Sequence, residues 1–412
     1  MTTKEICAAA KANAGYINNA TTAEKNNLLC DIADALEQNT QAVISANEID
    51  VKAARANGMP EPMVDRLSLD AARIEKIAEA VRYVASLPDP VGQVVGGGTF
   101  ESGLSITKVR VPLGVIGVIF ESRPNVCVDA AVLCLKSGNA AVLRGGKEAY
   151  NSNKALAEIM ISAVKANGFP AETLSLVSDI TRESVTDLKK ARGLLDLLIP
   201  RGGGGLIKAV TTASDVPVIE TGEGNCHVYV DATGKLDRAV NIIENAKTSR
   251  PGVCNSIESL LVHKDIAETA LPLIKERLDK HGVIWHGDEE TRKYIDAIPA
   301  TEEDWGTEYL DYEISCKVVE NVDKAIEHIN KYSTHHSEAI ITNNFANAEK
   351  FTKEVDSAAV YVNASTRFTD GGEFGLGAEI GIATGKLHAR GPMGLTELTT
   401  IKYIIKGNGE TR

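Results

Sequence analysis

Hydrophobic and polar positions change their spacing along the chain. The first ninety or so residues carry apolar side chains with helical periodicity, most clearly over 70–81, and predict a series of amphipathic helices. Residues 104–112 alternate apolar and polar positions and predict a half-exposed strand, whereas the glycines at 96–98 predict a loop. Residues 113–120 are almost continuously apolar, which is typical of a strand buried on both faces of a parallel sheet.

Strands and helices are predicted to alternate between residues 113 and 220. The predicted strands are 113–120, 140–143, 173–177, 194–199 and 216–219, and the predicted helices are one between Pro124 and Gly138, 153–167, 183–192 and 202–211. This alternation predicts right-handed crossovers and a doubly wound parallel sheet, in which ligands bind beyond the carboxyl ends of the strands.

The second half of the chain repeats this alternation. The predicted helices there are 237–249 and 265–280, and the predicted strands lie near 257–262, 338–342 and 358–362. Residues 398–406 predict a final strand that pairs with another sheet edge.

Composition and charge narrow the class of protein. A chain of 412 residues predicts two or three domains, and its net charge of −12 argues against a general binder of nucleic acid or anionic membranes. No apolar run reaches the ~18 residues of a membrane span, and the first residues lack the pattern of a secretory signal. Seven cysteines without CxxC spacing indicate reduced thiols, so we expect a cytoplasmic protein.

Cys254 is the candidate nucleophile among these cysteines. Pro251 and Gly252 predict a turn that holds the thiol out of any core face, just before a predicted strand. Lys247 and Arg250 are close in sequence, and neighbouring cations lower the pKa of a thiol.

The other cysteines are weaker candidates. Cys127 and Cys134 lie on the apolar face of a predicted helix, which favours buried, inert thiols, and Cys7 and Cys30 also fit helix cores. Cys226 adjoins His227, but adjacent residues of a strand point to opposite faces, so this pair is not expected to act together.

Glycines and charged residues follow several predicted strands. The run Arg201–Gly205 either binds phosphate at a helix N-terminus or makes a tight strand–helix connection. Arg144 and Lys147 either contact a dinucleotide phosphate, including a 2′-phosphate, or are solvated at the surface. Glu220 is either a site carboxylate or a loop acid. His335 and His336 are read as loop residues, and no metal is predicted.

Taken together, these segments resemble the aldehyde dehydrogenase superfamily and, within it, the reductases of L-glutamyl 5-phosphate. The resemblance covers nearly the whole chain, and Cys254 follows Glu220 by 34 residues. The strings that carry it are VPLGVIGVIFESRPNV (111–126), AVLRGGKEA (141–149), PRGGGG (200–205), VIETGEGNCHVYVD (218–231), NAKTSRPGVCNSIESLLVH (245–263) and GLGAEIGIATGKLHARGPMGLTEL (375–398).

The resemblance implies an α/β, aldehyde dehydrogenase-like fold. Its expected parts are a Rossmann-type cofactor-binding domain (1–101 and 114–223), an α/β catalytic domain (224–396) and a small β oligomerisation flap (102–113 and 397–412). A flap of edge strands would aggregate if left unpaired, so a homodimer or tetramer is expected.

The implied reaction is NADPH-dependent reduction of L-glutamyl 5-phosphate to L-glutamate 5-semialdehyde and phosphate, the second step of proline biosynthesis from glutamate. Cys254 would hold the substrate as a thioester, while Asn125 and the Cys254 backbone N–H stabilise oxyanions. Glu220 would act at this catalytic centre or be structural or cofactor-facing, since a reductase of this kind must avoid activating water against its thioester.

The remaining site residues follow from the same resemblance. Those implied for NADP(H) are Arg144, Gly145, Lys147, Arg201, Gly202, Gly203, Gly204, Thr221, Gly222 and Glu308. Those implied for the substrate are Ser122, Arg123, Arg250, Asn255 and Arg390, and Arg123 with Arg250 or Arg390 would neutralise its phosphate or α-carboxylate.

Two competing functions stay open on the sequence. One is an NAD-linked aldehyde oxidase that hydrolyses its thioester, and the other is a non-catalytic relative that acts as a binding protein. Glutamyl phosphate is labile to attack by its own amine, so direct transfer from glutamate kinase is compatible with the reductase, although no residue shows such a contact.

Overall fold

The structure is a computed structural model that describes residues 1–412. The chain forms two compact units. The first comprises Met1–Thr221, Gly375–Gly381 and Met393–Arg412, and the second comprises Gly222–Phe374 and Ile382–Pro392. The three-part division drawn from the sequence stays a prediction.

Thirteen α-helices and sixteen strands make up the two units. The helices are α1 (Thr3–Asn18), α2 (Thr22–Gln38), α3 (Thr40–Ala56), α4 (Glu61–Leu67), α5 (Ala71–Ser86), α6 (Pro124–Lys136), α7 (Tyr150–Ala166), α8 (Arg182–Lys189), α9 (Gly204–Thr211), α10 (Leu236–Thr248), α11 (Ala267–Asp279), α12 (Val322–Tyr332) and α13 (Phe345–Glu354). The strands are β1 (Val94–Thr99), β2 (Ser105–Pro112), β3 (Val115–Phe120), β4 (Ala140–Gly145), β5 (Leu174–Leu176), β6 (Leu197–Arg201), β7 (Cys226–Val230), β8 (Ile257–His263), β9 (Ile284–Gly287), β10 (Ile298–Pro299), β11 (Glu313–Val319), β12 (Ser337–Ile341), β13 (Ala359–Val362), β14 (Ile382–Ala383), β15 (Gly391–Pro392) and β16 (Thr399–Lys406).

The helical start of the first unit is confirmed. Helices α1 and α2 both begin with a capping box, formed by Thr2 with Glu5 and by Thr21 with Glu24. None of the helices in the protein combines the length and apolar composition needed to cross a membrane.

A four-stranded parallel sheet in the order β5-β4-β3-β6 forms the centre of the first unit. Every residue of β3 is buried, as the apolar run predicts. The chain steps from β3 to β4 and β5 on one side and then crosses to β6 on the other. The carboxyl ends of β3 and β6 therefore flank a topological switch point, where doubly wound sheets bind ligands.

Two details of the predicted strands in this unit are wrong. Residues 216–219 make only an isolated parallel bridge between Val218 and Leu198. The glycines at 96–98 lie inside β1 and not in a loop, because β1 pairs with β2 and glycine leaves its backbone free to approach that partner.

A small antiparallel sheet joins distant parts of the first unit. Its order is β1-β2-β16, and β16 pairs with β2 over eight residues, from Thr399 opposite Pro112 to Lys406 opposite Ser105. The predicted final strand and its pairing with another edge are confirmed.

The second unit contains a seven-stranded parallel sheet in the order β10-β9-β11-β8-β7-β12-β13. Alternate residues of β7 face opposite sides: Val228 packs in a core with α10 and α11, and Tyr229 in a second core with α12 and α13. Strands β9 and β11 and helices α12 and α13 have no counterpart among the predicted elements.

Candidate active site

The thiol of Cys254 lies in the second unit, on the turn between α10 and β8. The residue is half-buried, and the backbone N–H of Ser256 donates to the Val253 carbonyl at 3.0 Å to close the turn. This placement matches the predicted presentation of the thiol. The turn meets the amino end of β8, so the rule that sites follow the carboxyl ends of strands does not hold for this unit.

Gly224 lies directly against the backbone of Cys254. A Cβ atom on residue 224 would stand 1.6 Å from the Cys254 carbonyl oxygen, so only glycine fits there. The Gly224 N–H donates to Oε1 of Glu308 at 2.6 Å, and burial raises the pKa of Glu308. Glu308, which the resemblance assigns to the cofactor, thus anchors the segment that packs against the cysteine turn, and its cofactor role stays a prediction.

The side chain of Cys226 contacts the backbone of the cysteine turn. Its Sγ lies 3.1 Å from the Cys254 carbonyl oxygen and 3.6 Å from Nδ1 of His336. Burial raises its pKa well above that of an ordinary thiol, which makes it a poor nucleophile.

Two further cysteines are buried thiols of low reactivity, and one is exposed. Burial raises the pKa of Cys127 and of Cys134 to about 12, as their inert character predicts. Cys30, expected in a helix core, is instead exposed on α2, because it falls just outside the buried stripe of that helix.

An arginine that the sequence reasoning missed joins the two ends of the cysteine turn. Arg367 donates through Nη1 to Oδ1 of Asn255 and through Nε to Oγ of Ser249, the latter at 3.1 Å. Asn255 is held in turn, since its Nδ2 donates to the Thr369 carbonyl at 2.9 Å. No local sequence signal marks Arg367, because more than a hundred residues separate it from Cys254.

Lys247 is not a free cation beside the Cys254 thiol, although its position in the sequence predicts one. Its ammonium lies 2.6 Å from the Glu258 carboxylate, and both side chains are fully buried. Burial lowers the pKa of Lys247 and raises that of Glu258 to about 7. The expectation is wrong because the lysine lies on the buried face of α10 and Glu258 neutralises its charge.

Arg390, expected at the substrate, is engaged by another loop of the second unit. Its Nη2 lies 2.9 Å from Oδ1 of Asp356 and donates to the Asp356 carbonyl at 3.0 Å. Lys386 pairs with the same carboxylate. A substrate role for Arg390 stays a prediction.

In the first unit, the segment after β3 has a strained backbone. Ser122 adopts φ of +51°, and both its N–H and its Oγ–H donate to Oε1 of Glu148, at 2.6 and 3.0 Å. Non-glycine residues in this region are uncommon and cluster at functional sites. Arg123 follows at the N-cap position of α6, without a hydrogen bond from its side chain to the first turn of the helix.

Asn125 lies in the first turn of α6, where its Nδ2 donates to Oδ2 of Asp129 at 2.9 Å. Burial raises the pKa of Asp129 to about 6, although this hydrogen bond and the Arg201 cation oppose the shift. One donor of the Asn125 amide is thus fixed by a neighbour on the same helix.

The glycine run after β6 leaves open space at the start of α9. Cβ atoms on Gly203 and Gly205 would meet nothing within 4 Å, and the Gly203 N–H donates to Oε2 of Glu121 at 3.2 Å. A Cβ on Gly202 would stand only 2.3 Å from that same oxygen. Bare backbone at a helix N-terminus, beside the switch point, fits the pyrophosphate of a dinucleotide.

The two basic residues near the end of β4 differ in their surroundings. Arg144 is buried, and its Nη2 donates to the carbonyls of Ile180 and Thr181 at 2.7 and 3.0 Å. Lys147 is exposed in the turn before α7. Gly145 has no room for a Cβ, which would stand 2.1 Å from Nδ2 of Asn153. The geometry therefore favours Lys147 over Arg144 for contact with a phosphate.

The residues that follow position 219 differ in their exposure and in their hydrogen bonds. Glu220 is exposed, whereas Thr221 is buried and donates to the Pro200 carbonyl. The Gly222 N–H donates to the Ile382 carbonyl at 3.2 Å. A catalytic role for Glu220 stays a prediction.

Comparisons with known proteins agree with this architecture. The profile of the aldehyde dehydrogenase family matches residues 1–293. A gamma-glutamyl phosphate reductase of Clostridium novyi (strain NT) is 54% identical over 409 residues, which are 99% of this chain and 98% of that protein. One of Thermobifida fusca (strain YX) is 55% identical over 389 residues, 94% of this chain and 93% of that protein.

Solved structures show the same fold. The crystal structure of gamma-glutamyl phosphate reductase from Thermotoga maritima matches with a TM-score of 0.98 and 51% identity over all of both chains. An acetylating aldehyde dehydrogenase from Geobacillus thermoglucosidasius, at 18% identity, shares the fold with a TM-score of 0.70 over 100% of this chain and 97% of that one. The chain therefore belongs to the aldehyde dehydrogenase family, and its α/β fold is that of the family.

Proposed function

We propose that the protein reduces L-glutamyl 5-phosphate to L-glutamate 5-semialdehyde and phosphate with NADPH, as the second step of proline biosynthesis from glutamate. The observation that carries the proposal is the half-buried Cys254, on a turn fixed by Gly224 and Arg367, in a chain 54% identical to a gamma-glutamyl phosphate reductase. A fixed and partly exposed thiol is what an acyl-transfer nucleophile requires.

The chemistry begins at Cys254. Its thiolate attacks the carbonyl carbon of the acyl phosphate, a sulfur–carbon bond forms, and the carbon–oxygen bond to phosphate breaks, which leaves a thioester. When bound, NADPH supplies the hydride that reduces this thioester. Collapse of the resulting thiohemiacetal releases the aldehyde and regenerates the Cys254 thiolate, so the enzyme returns to its starting state.

Both steps pass through a tetrahedral oxyanion that needs hydrogen-bond donors. We assign these donors to the Cys254 backbone N–H and the Asn125 side chain. The amide of Asn125 has a second N–H besides the one given to Asp129, which leaves a donor for the substrate. Among the other substrate candidates, Ser122 and Arg123 share the strained segment after β3.

The first unit supplies the features that suit NADP(H). The backbone of Gly203 and Gly204 would hold the pyrophosphate, and Lys147 would contact the 2′-phosphate, which distinguishes NADP from NAD. In the second unit, Glu308 is proposed to contact the cofactor as well. Buried Arg144 would act through the loop carbonyls that it holds.

The assembly is proposed to be a homodimer or tetramer built on the β1-β2-β16 sheet. A contact with glutamate kinase would protect the labile substrate, and a reducing cytoplasm suits the seven free cysteines.

The test uses the reverse reaction. The purified protein should reduce NADP⁺ with glutamate 5-semialdehyde only when phosphate is present, and Cys254→Ala should abolish this activity. Cys30→Ala is the matched control, since Cys30 is exposed on helix α2 of the first unit and has no role in the proposed chemistry. Activity that needs no phosphate would instead identify an aldehyde oxidase that hydrolyses its thioester, and the absence of any turnover would favour a binding protein.

A further inference from the structure

Arg367 occupies a special position beside the cysteine turn. Its two hydrogen bonds reach Ser249 and Asn255, the residues at either end of the loop that presents Cys254. The guanidinium is half-buried, so its place is set by these contacts and not by solvent. The guanidinium is therefore held against the turn that presents the Cys254 sulfur.

A second cation shares the same surroundings. Burial lowers the pKa of Arg367, the Arg250 guanidinium lowers it further, and the Cys254 thiolate opposes them. The Asp370 carboxylate also opposes the lowering of the Arg367 pKa, and its influence is weaker than those of Arg250 and Cys254. Because arginine keeps its proton at physiological pH, Arg367 and Arg250 place two positive charges at the turn that presents the thiol.

We propose that Arg367 and Arg250 bind the phosphoryl group of the acyl phosphate while the Cys254 thiolate attacks the carbonyl carbon. This inference rests on the proposed function. The phosphoryl group is joined through one oxygen to the carbon under attack, whereas three carbon atoms separate that carbon from the α-carboxylate. Arg367, which is tied to both ends of the cysteine turn, and Arg250, which belongs to that turn, are therefore better placed for the phosphoryl group than for the carboxylate.

The subsite also helps the leaving group depart. As the carbon–oxygen bond breaks, both of its electrons stay with phosphate, and negative charge grows on that oxygen. Planar guanidinium groups match phosphate oxygens with paired hydrogen bonds and stabilise this charge. In the reverse reaction, the same two residues would hold inorganic phosphate for attack on the thioester.

In the reverse reaction, phosphate and the aldehyde are two separate substrates, so the KM of each can be measured independently. Arg367→Gln should raise the KM for phosphate by at least about tenfold, the loss expected for a charge-assisted contact, while the KM for glutamate 5-semialdehyde stays nearly constant. Arg367→Lys, which keeps the charge, should recover part of the loss. A raised KM for the aldehyde with an unchanged KM for phosphate would assign Arg367 to the α-carboxylate and overturn the proposal.

A second measurement does not depend on turnover. In a Cys30→Ser background, the ratio of alkylation rates of Cys254 by iodoacetate and by neutral iodoacetamide reports local positive charge. This ratio should fall several-fold in Arg367→Gln. In the protein that keeps Arg367, phosphate should slow the alkylation of Cys254 by iodoacetate but not its alkylation by iodoacetamide. Arg277→Gln, which removes an ion-paired arginine elsewhere in the same unit, is the control and should leave the ratio unchanged.

These readouts separate two kinds of failure. If the protein lacks phosphate-dependent activity but the alkylation ratio responds to Arg367 and phosphate, the proposed function fails and the anion subsite stands. If the activity is present but neither the ratio nor the KM for phosphate changes in Arg367→Gln, the subsite is wrong.

Discussion

The backbone of Cys254 occupies the space that a side chain on Gly224 would need. A methyl group at residue 224 would stand 1.6 Å from the Cys254 carbonyl oxygen. We expect Gly224→Ala to displace the cysteine turn, because backbone cannot yield as a flexible side chain does. Activity should drop by at least about a hundredfold, given that an ångström of misplacement costs about that much.

Gly306 provides the matched control. It belongs to the same unit, and a Cβ there would meet nothing within 4 Å. Gly306→Ala should keep both activity and the alkylation rate of Cys254. If Gly224→Ala were as active as Gly306→Ala, the close packing of the turn would not matter for catalysis.

Breaking the buried ion pair of Lys247 and Glu258 should strongly lower the free energy of unfolding. Lys247→Met leaves the Glu258 carboxylate buried without its cation, which should lower the free energy of unfolding by about 3–5 kcal/mol. The double variant with Glu258→Leu should recover most of that loss, since it buries no charge. Chemical denaturation of the two single variants and the double variant measures the coupling, and additive losses would contradict it.

Asp129 should make stability depend on pH. Burial raises its pKa in the folded protein from 3.8 to about 6, so its contribution is fully present below pH 3.8 and is lost as the pH rises through 6. Asp129→Asn does not titrate. Relative to the parent, the free energy of unfolding of the variant should therefore rise by about 1–3 kcal/mol between pH 4 and pH 7. Above pH 7 this difference should stay level. Denaturation midpoints across this range measure it, and a constant difference would disprove the shift.

Lys147 should select the cofactor. Because it is exposed beyond β4, Lys147→Ala removes a charge without removing packing. We expect the KM for NADPH to rise by about tenfold and the KM for NADH to change little, as the loss of one charge-assisted phosphate contact implies. Steady-state kinetics with the two cofactors checks this, and equal effects on both would place the 2′-phosphate elsewhere.

The small sheet should carry the contact between copies of the chain. Tyr403 and Ile405 of β16 are 59% and 57% exposed, and Val94 of β1 is 66% exposed, which leaves apolar side chains open to a partner. Light scattering should give a dimer or tetramer, and Ile405→Lys should shift the mass toward the monomer. A monomer before substitution would refute this assignment.

The sequence predicts those parts of the fold that depend on local periodicity. The helices before residue 90, the buried strand β3 and the final strand β16 all follow from the spacing of apolar residues. Residues 216–219 do not form the predicted strand, because this apolar stretch pairs with only one residue, Leu198. Strand β1 differs from the predicted loop because pairing with β2 places its glycines in a strand, and the local sequence pattern does not encode that pairing.

The candidate site likewise contains some residues that the local sequence predicts and others that only the folded chain brings together. Cys254 could be selected from its turn residues and its family resemblance, but Arg367 reaches it only through the folded chain. Lys247 looks close in sequence, yet helix periodicity turns it inward to Glu258. Long-range contacts decide which neighbouring charges act on the thiol, and a single sequence does not contain them in readable form.

The sheet partner of β2 also bears on how the chain reaches its native state during synthesis. Because β16 comes nearly three hundred residues after β2, the edge of β2 stays bare until residues 399–406 have left the ribosome. The second unit is then already translated, so a nascent chain spends most of its synthesis with one edge of β2 unpaired. A chaperone that shields this strand would matter most while the protein is still being made.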